Sequence, residues 1–353
     1  MSKKVDEFIV TEDNSVVQTM QKIDKNTKGI VFVVDANGCL SGCVSDGDIR
    51  RWLIKTADLN ATVSKIMFRK PKFVFKSDSI NAEDFMTKNS ITALPVLDND
   101  KKICDIIFIT SKQIKKISSA DDKLDKIPVV IMAGGMGTRL YPYTKILPKP
   151  LIPIGDVPIL ERIMNRFIDR GTKEFYLTVN YRKNMIKSYF EDAGLNCSIK
   201  YVEENKPLGT AGSIKLIKEK FDCPIFVTNC DILIEADLYD IYKQHISSQN
   251  AITIVSSLKN ITVPYGVLDV EENGIISAMR EKPSLSYFVN TGMYIVNPEL
   301  IDWIPDDTFY HMPQLAQEAM DRGLQVGMYP ISEDSFLDMG EFAEMQRMEE
   351  KLK

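Results

Sequence analysis

Histidine is scarce in this chain: His245 and His311 are the only two among 353 residues. A hydrolase built around histidine bases would be hard to assemble from so few. Basic excess is missing as well. Forty-four Lys and Arg against 49 Asp and Glu give a net charge of −5, which excludes bulk attraction to nucleic acid or an anionic membrane and leaves room for a local cationic pocket. No apolar run approaches the ~20 residues needed to span a bilayer. The opening stretch MSKKVDEFIVTEDNS carries acids where a secretory leader needs an apolar core. The six cysteines (Cys39, Cys43, Cys104, Cys197, Cys223, Cys230) show neither paired C-x-x-C spacing nor the density of a disulfide scaffold. They are expected to be reduced core thiols, and Cys39 and Cys43 lack a second pair with which to hold a metal. A cytoplasmic protein with no membrane or nucleic-acid partner is expected. What is present, 44% hydrophobic and 26% charged residues, is the composition of a globular chain long enough for two domains.

The first 115 or so residues repeat themselves. DNSVVQTMQKI followed by GIVFVVDANGCLSGCVSDGDIRR has the layout of SDSINAEDFMTKN followed by ITALPVLDNDKKICDIIFITSKQ. The turn aspartates Asp35 and Asp98 lie 63 residues apart, and Ser45 and Thr110 lie 65 apart. Each copy reads as a helix, an apolar strand, an Asp-Asn turn and a second strand entering a helix. One such unit of ~60 residues is marginal alone, and pairing two buries both open faces. This pattern resembles a tandem pair of CBS domains over residues 1–118, about 1–60 and 61–118. The resemblance implies an adenine-nucleotide site in which a Ser or Thr is followed, three residues on, by an Asp that contacts ribose. The first copy keeps Ser45 and Asp48; the second keeps Thr110 but has Gln113 in place of the Asp, so at most one adenosine site is intact. A ligand-free structural or dimerising module is the other reading, and a homo-oligomer is expected.

A polar stretch, KKISSADDKLDKIP, follows, and residues 119–126 read as a linker. From Ile127 to residue 353, apolar strands alternate with amphipathic helices. Strands are expected in PVVIMAGG, EFYLTVN, SIKYVEE, PIFVTNCD, AITIVSSL, YGVLDVEENGII and TGMYIVN. Helices are expected in ILERIMNRFIDRG, RKNMIKSYFEDAG, TAGSIKLIKEKF and LYDIYKQHISSQN. This alternation predicts an α/β fold, a Rossmann-like mixed, mostly parallel sheet with helices on both faces, whose ligands gather at the carboxyl ends of strands.

One segment carries the chemistry. VVIMAGGMGTRLYPYTKILPKPLIPIG runs from a buried strand into glycines, an arginine and a lysine between two prolines. Glycines there let backbone N–H groups approach an anion. It is not a P-loop, because Gly137 is followed by Thr138 and Arg139; it is not G-x-G-x-x-G, because Leu140 stands where the last glycine belongs. GGMGTRLYP continuing to LPKPLIPIG instead resembles the signature of sugar-1-phosphate nucleotidyltransferases. That resemblance implies that Ala133, Gly134, Gly135, Gly137 and Thr138 hold a nucleoside triphosphate, with Arg139 and Lys149 neutralising its phosphates.

Further fragments follow in the family's order. KPLGTAGSI implies Gly209 and Thr210 at base and ribose. VTNCDIL implies Asp231 as a magnesium ligand with a catalytic role, and FLDMGEF implies Asp338 as the second metal-holding carboxylate. YGVLD, REKP and VNTGMYI imply Gly266, Glu281, Lys282, Asn290, Thr291 and Gly292 around the sugar phosphate. The implied reaction joins a sugar-1-phosphate to an NTP with release of pyrophosphate. Its nucleophile is a phosphate oxygen already ionised near neutral pH, so no general base is needed, and both histidines are expected to be structural or exposed. The obstacle is repulsion: each pair of unit charges at ~4 Å costs about 4 kcal/mol at an effective dielectric of 20. Two carboxylates with phosphate oxygens and water suit Mg²⁺.

PLGTAGS resembles the guanylyl-transferring branch more than the thymidylyl branch, which reads Gly-Leu-Ala-Gln at this point. No hexapeptide repeats follow Asp338, so the left-handed β-helix appended to many relatives is expected to be absent. A CBS pair before a compact transferase domain resembles the guanylyltransferases of bacterial nonulosonic (legionaminic) acid pathways, which implies glucosamine-1-phosphate as acceptor. Alternatives are mannose-1-phosphate, another base, or an adenylate sensor whose transferase domain is inert.

Overall fold

The computed structural model describes residues 3–78, 81–89, 91–108, 123–340 and 342–352. It divides into two compact units, Met1–Asp122 and Lys123–Lys353. Thr110 and Gln113 lie outside the described residues.

The first unit opens with the short helix α1 (Lys3–Asp6) and contains two small sheets of one topology. Strands β1 (Ile9–Thr11), β2 (Ile30–Val34) and β3 (Leu40–Ser45) form the first; β4 (Val74–Phe75), β5 (Ala93–Leu97) and β6 (Ile103–Phe108) form the second. In each, the first pairing is parallel, the second antiparallel, and a register shift falls at the same place, Val33/Val34 and Val96/Leu97. The turns match too: Asp35 Oδ1 accepts from the N–H groups of Asn37 and Cys39, and Asp98 Oδ1 from those of Asp100 and Lys102. Helix α2 (Val16–Asn26) buries Val16, Met20 and Ile23, the i, i+4, i+7 stripe of an amphipathic helix, and starts at a Ser15–Gln18 capping box. Helices α3 (Asp46–Thr56) and α4 (Ala82–Lys88) complete the repeat. Ser45 caps α3 by accepting from Asp48 N, while the Asp48 carboxylate accepts from Ser45 N and Oγ and pairs with Arg51.

The second unit is built on seven strands: β7 (Val129–Met132), β10 (Glu174–Val179), β11 (Ser198–Glu203), β12 (Ile225–Asn229), β14 (Ile252–Thr262), β17 (Ser284–Val296) and β18 (Val326–Ile331). Their order is β11-β10-β7-β12-β17-β14-β18, parallel throughout except at β17, which runs antiparallel to both neighbours. Alternation along the strands divides the core: Val129, Ile131, Phe175, Leu177 and Phe226 face one layer, and Val130, Tyr176, Ile225 and Val227 the other. Helices α5 (Ile159–Ile168), α6 (Lys183–Asp192), α7 (Gly209–Gly212), α8 (Leu238–Ser247), α9 (Met312–Asp321) and α10 (Phe342–Leu352) accompany them. Small two-stranded sheets pair β8 (Pro153–Ile154) with β9 (Val157–Pro158), β13 (Ile232–Ile234) with β19 (Phe336–Asp338), and β15 (Val267–Val270) with β16 (Ile276–Arg280).

Several details depart from the sequence reading. TAGSIKLIKEKF is not one helix: α7 is a single turn that tightens at once into a 3₁₀ turn, Ser213–Leu216, and its Ala211 and Gly212 N–H groups donate to the Tyr310 carbonyl. YGVLDVEENGII is a hairpin, turned at Asn273 and Gly274, both with positive φ. The segment read as a linker ends inside the second unit, where Leu124 is fully buried and donates its N–H to the Arg170 carbonyl. All six cysteines are free, but only Cys230 is buried; its thiol is pushed up to about 12 by burial. No described helix is long and apolar enough to cross a membrane.

Candidate active site

The carboxyl ends of β7, β10 and β12 open onto one cavity of about 660 Å³. Its floor is the glycine loop. Ala133 closes β7, buried, with its N–H on the Thr178 carbonyl. Gly137 has φ +65°, and a Cβ there would sit 3.0 Å from Thr144 Cγ2 and 3.1 Å from Lys149 Cβ, so this glycine is demanded by packing. Gly135 differs: a Cβ would meet nothing within 4 Å. The protein itself gives no steric reason for glycine at that position, whereas a ligand lying on the backbone would. Gly134 packs against the carboxylate of Glu204, whose Oε1 lies 2.6 Å from where a Cβ would be. The segment beyond the loop is held down by Tyr181 and Arg182, which donate to the Thr144 and Lys145 carbonyls at 3.0 and 2.6 Å.

Lys149 stands in a 3₁₀ turn fixed by its flanking prolines, and only 7% of it is exposed. Its Nζ bonds the Asp231 carboxylate. Asp231 lies just past the end of β12, where its carbonyl accepts from Met339 N at 2.8 Å. The β13–β19 pairing then sets Ile232 opposite Asp338 and brings the two aspartates to one place. The Asp338 carboxyl is raised above the usual carboxylate range by burial and by the negative charge of Asp231, with Lys149 and Arg139 pulling it down. Arg139 is exposed, its Nη1 beside Gly340. Among the described residues no third His, Cys, Asp or Glu completes a metal-binding cluster. A hard cation fits this pair, since two neighbouring carboxylates would hold it and leave its other positions to phosphate oxygens and water.

A second cavity, about 450 Å³, adjoins the first. Arg139, Thr210, Asn229 and Asp231 line both. Asn290, Thr291 and Gly292 enter the second cavity at a bulge of β17, where pairing to β14 jumps from Ile254↔Tyr294 to Ser256↔Asn290. Thr291 is buried and donates to the Val255 carbonyl at 2.7 Å, and Gly292, φ +90°, lies directly against the Asn229 amide. Asn290 donates to the Tyr294 hydroxyl at 2.6 Å and accepts from Gly292 N at 2.9 Å.

The residues expected at the site thus gather in large part. Ala133 is buried at the loop's entry; Gly134, Gly135, Gly137, Thr138, Arg139, Lys149, Gly209, Thr210 and Asp231 line the larger cavity. Asp338, Asn290, Thr291 and Gly292 line the smaller one. Gly266, Glu281 and Lys282 line neither. They sit together on the exposed β15–β16 hairpin, where Glu281 Oε2 is 3.1 Å from a Gly266 Cβ and Lys282 N donates to the Tyr265 carbonyl. Lys282, expected at the sugar phosphate, is thus not brought together with Arg139 and Lys149. Thr210 lines both cavities, yet its hydroxyl is committed: it accepts from Met312 N at 3.0 Å and faces His311 Nδ1 at 3.3 Å.

Glu204, Asn229 and His311 are among the cavity residues that escaped the sequence reading. Glu204 is 8% exposed, and burial raises its carboxyl, partly offset by Thr178 and the Leu208 backbone. Its cue was the acid doublet at the carboxyl end of a predicted strand. Asn229 is the last residue of β12, two before Asp231. His311 lines the smaller cavity, with no cue in its neighbourhood. His245, by contrast, is buried between Thr253 Oγ1 at 2.8 Å and Asn297 Oδ1 at 3.0 Å, with its pKa lowered by burial.

Residues 128–352 match the nucleotidyl transferase family, and residues 1–55 match the CBS domain. A mannose-1-phosphate guanyltransferase of Pichia angusta is 36% identical over 186 residues, 50% of each chain. A UTP–glucose-1-phosphate uridylyltransferase of Synechocystis is 34% identical over 232 residues, 60% of this chain and 59% of the relative. The chain therefore spans about half to three fifths of the length of these curated relatives. A Bacillus anthracis structure, a provisional glucose-1-phosphate thymidylyltransferase in complex with a sucrose, aligns with TM-score 0.51 and 18% identity over 64% of this chain and 94% of that one, a likeness of fold. By the match over residues 128–352, the chain belongs to the nucleotidyl transferase family.

Proposed function

We propose that this protein transfers a nucleotidyl group, GMP from GTP, to a sugar-1-phosphate, releasing pyrophosphate. One observation carries the reading: two adjoining cavities share a wall of Arg139, Thr210, Asn229 and Asp231, with Lys149 and Asp338 beside it. A triphosphate in the larger cavity and a sugar phosphate in the smaller would meet at that wall. An oxygen of the sugar phosphate attacks the α-phosphorus, the bond to the β-phosphate breaks, and pyrophosphate leaves with the electron pair. The attacking oxygen is already ionised, so the residues' work is to place and neutralise two polyanions. Lys149 and Arg139 supply fixed positive charge, and the backbone at Gly135 admits phosphate without a side chain in the way. Asp231 and Asp338 would hold Mg²⁺, which supplies charge neutralisation on the reacting phosphates.

Guanine is supported by Glu204. A buried carboxylate with no basic partner recorded among the described residues accepts two N–H groups well, and guanine offers N1–H and N2–H side by side. The guanyltransferase relative points the same way. The uridylyltransferase relative keeps uridylyl transfer as the competing reading. Glucosamine-1-phosphate is the proposed acceptor, on the strength of the CBS module preceding the transferase unit, and mannose-1-phosphate is the alternative that the Pichia relative favours. Products of either kind feed the assembly of bacterial surface glycans or nonulosonic acids.

The test is pyrophosphate release from four NTPs against mannose-, glucose-, glucosamine- and N-acetylglucosamine-1-phosphate with Mg²⁺. The strongest signal is expected with GTP and glucosamine-1-phosphate. A silent grid would replace catalysis with the adenylate-sensor reading.

A further inference from the structure

His311 is built into the smaller cavity in a way that fixes which ring nitrogen carries its proton. Its Nδ1 faces two donors, the Thr210 backbone N–H and the Thr210 hydroxyl, each at 3.3 Å. The hydroxyl has its oxygen occupied by Met312 N at 3.0 Å, so its own hydrogen is free to point at the ring. A nitrogen that receives two hydrogens is an acceptor, which places the imidazole proton on Nε2. The residue is held on other sides as well: its backbone N–H donates to Gln314 Oε1 at 2.8 Å, and the Phe309 ring packs edge-on against the imidazole, centroids 4.6 Å apart. Gly209, φ +77°, has no Cβ to push the ring away; one would lie 3.2 Å from Nδ1. No hydrogen bond to Nε2 is recorded among the described residues, and His311 lines the smaller cavity with Asn290, Tyr294 and Gln314.

We propose that His311 is a specificity residue for the acceptor: its Nε2–H donates to a hydroxyl oxygen of the sugar ring. This rests on the reading of the smaller cavity as the sugar-phosphate subsite. The partners around it are neutral. Asn290, Tyr294 and Gln314 offer the mixed donors and acceptors that suit sugar hydroxyls, while the ionised groups of the same cavity, Arg139, Asp231 and Asp338, suit the phosphate end. A donor with its tautomer fixed by Thr210 reads hydroxyl positions by the direction of one N–H.

Two substitutions separate this role from a structural one. His311→Asn keeps an acceptor near the position of Nδ1 for Thr210 and removes the Nε2 donor. His311→Gln carries an amide N–H out to the position of Nε2. In steady-state kinetics on the full chain, His311→Asn should raise KM for the sugar-1-phosphate about five- to tenfold, the worth of one neutral hydrogen bond, with KM for GTP within twofold. His311→Gln should recover most of that loss. Deoxy analogues of the sugar phosphate should locate the hydroxyl, because for the analogue lacking it wild type and His311→Asn become equal. An unchanged sugar-phosphate KM in His311→Asn overturns the proposal, as does an equal rise in both KM values or a glutamine variant no better than asparagine. Should His311→Asn melt far below wild type, the analogue series on the wild type and the glutamine variant decides instead: the proposal stands if one deoxy sugar loses five- to tenfold in both, and falls if none does. Wild type inactive with every pair defeats the functional reading itself, a result distinct from activity that ignores position 311.

Discussion

Lys149 and Asp231 hold each other with 8% and 16% of their side chains exposed. Removing one partner of so buried a pair strands the other charge, at a cost of about 3–5 kcal/mol. Lys149→Ala should therefore lower the melting temperature, and Asp231→Asn in that background should restore it. Turnover should fall about 10²–10³-fold, the usual loss for one preorganised cation or donor at a transition state, and the double variant should not recover it. With Asp231 freed, Mg²⁺ without nucleotide should raise the melting temperature of Lys149→Ala more than that of wild type. Near-normal turnover in Lys149→Ala would remove the lysine from the phosphate site. Glu204 makes the opposite kind of residue-scale prediction. Burial raises its carboxyl in the folded protein, so the folded state binds the proton more readily than the unfolded chain. That contribution favours folding below the ordinary glutamate range near pH ~4.3 and is lost as pH rises through the raised value. Glu204→Gln should then melt a few degrees higher than wild type at pH 7, with the gap closing toward pH 4. The same variant should lose about 10–100-fold in kcat/KM for GTP, as a charge-assisted acceptor disappears. A variant that melts no higher and uses GTP unimpaired would take Glu204 out of base recognition.

At the scale of elements, the short segment from Gly209 to Leu216 shows where local propensity gives way. Its sequence has helical periodicity, but α7 gives way after one turn to the 3₁₀ turn Ser213–Leu216, and the Tyr310 carbonyl accepts from Ala211 N and Gly212 N across about a hundred residues of chain. Gly209 makes this approach possible, with φ +77° and the Tyr310 carbonyl oxygen 2.6 Å from where a Cβ would stand. Gly209→Ala should cost about 2 kcal/mol or more, from left-handed strain and from displacement of a backbone atom that cannot rotate away. In a unit of this size that is a fall of roughly 4–8 °C in Tm, and a silent substitution would mean the segment tolerates a shift. The same contrast explains what was legible beforehand. The β7 strand, the glycine loop and the Pro-flanked lysine are contiguous, so their pattern survives in one dimension, as does Asp231 at a strand end. Glu204 against Gly134, and His311 against Thr210, are contacts between elements that only the folded sheet brings together. The β15–β16 hairpin erred the other way: Gly266, Glu281 and Lys282 carry a recognisable pattern, but two strands with no third to pack against leave them exposed, outside both cavities.

At the scale of the whole molecule, the division of labour follows from where the lining residues come from. Both cavities draw only on residues between Met132 and Asp338, all within the unit Lys123–Lys353. That unit has its own two core layers, one on each face of its sheet, and it includes Leu124, so its boundary falls before the strand that opens it. A chain of residues 123–353 should accordingly fold in one cooperative transition and release pyrophosphate with KM values within about threefold of the full chain. The first unit, with Ser45 and Asp48 bound to each other at the start of α3, should confer any response to adenine nucleotides. Titrating AMP and ATP into both proteins and following activity and melting temperature gives the comparison. A response in the full chain that vanishes in residues 123–353 marks the first unit as a sensor; none in either makes it a scaffold. A fragment that folds yet cannot turn over would show that the first unit completes the site, and the assignment of catalysis to the second unit alone would fail.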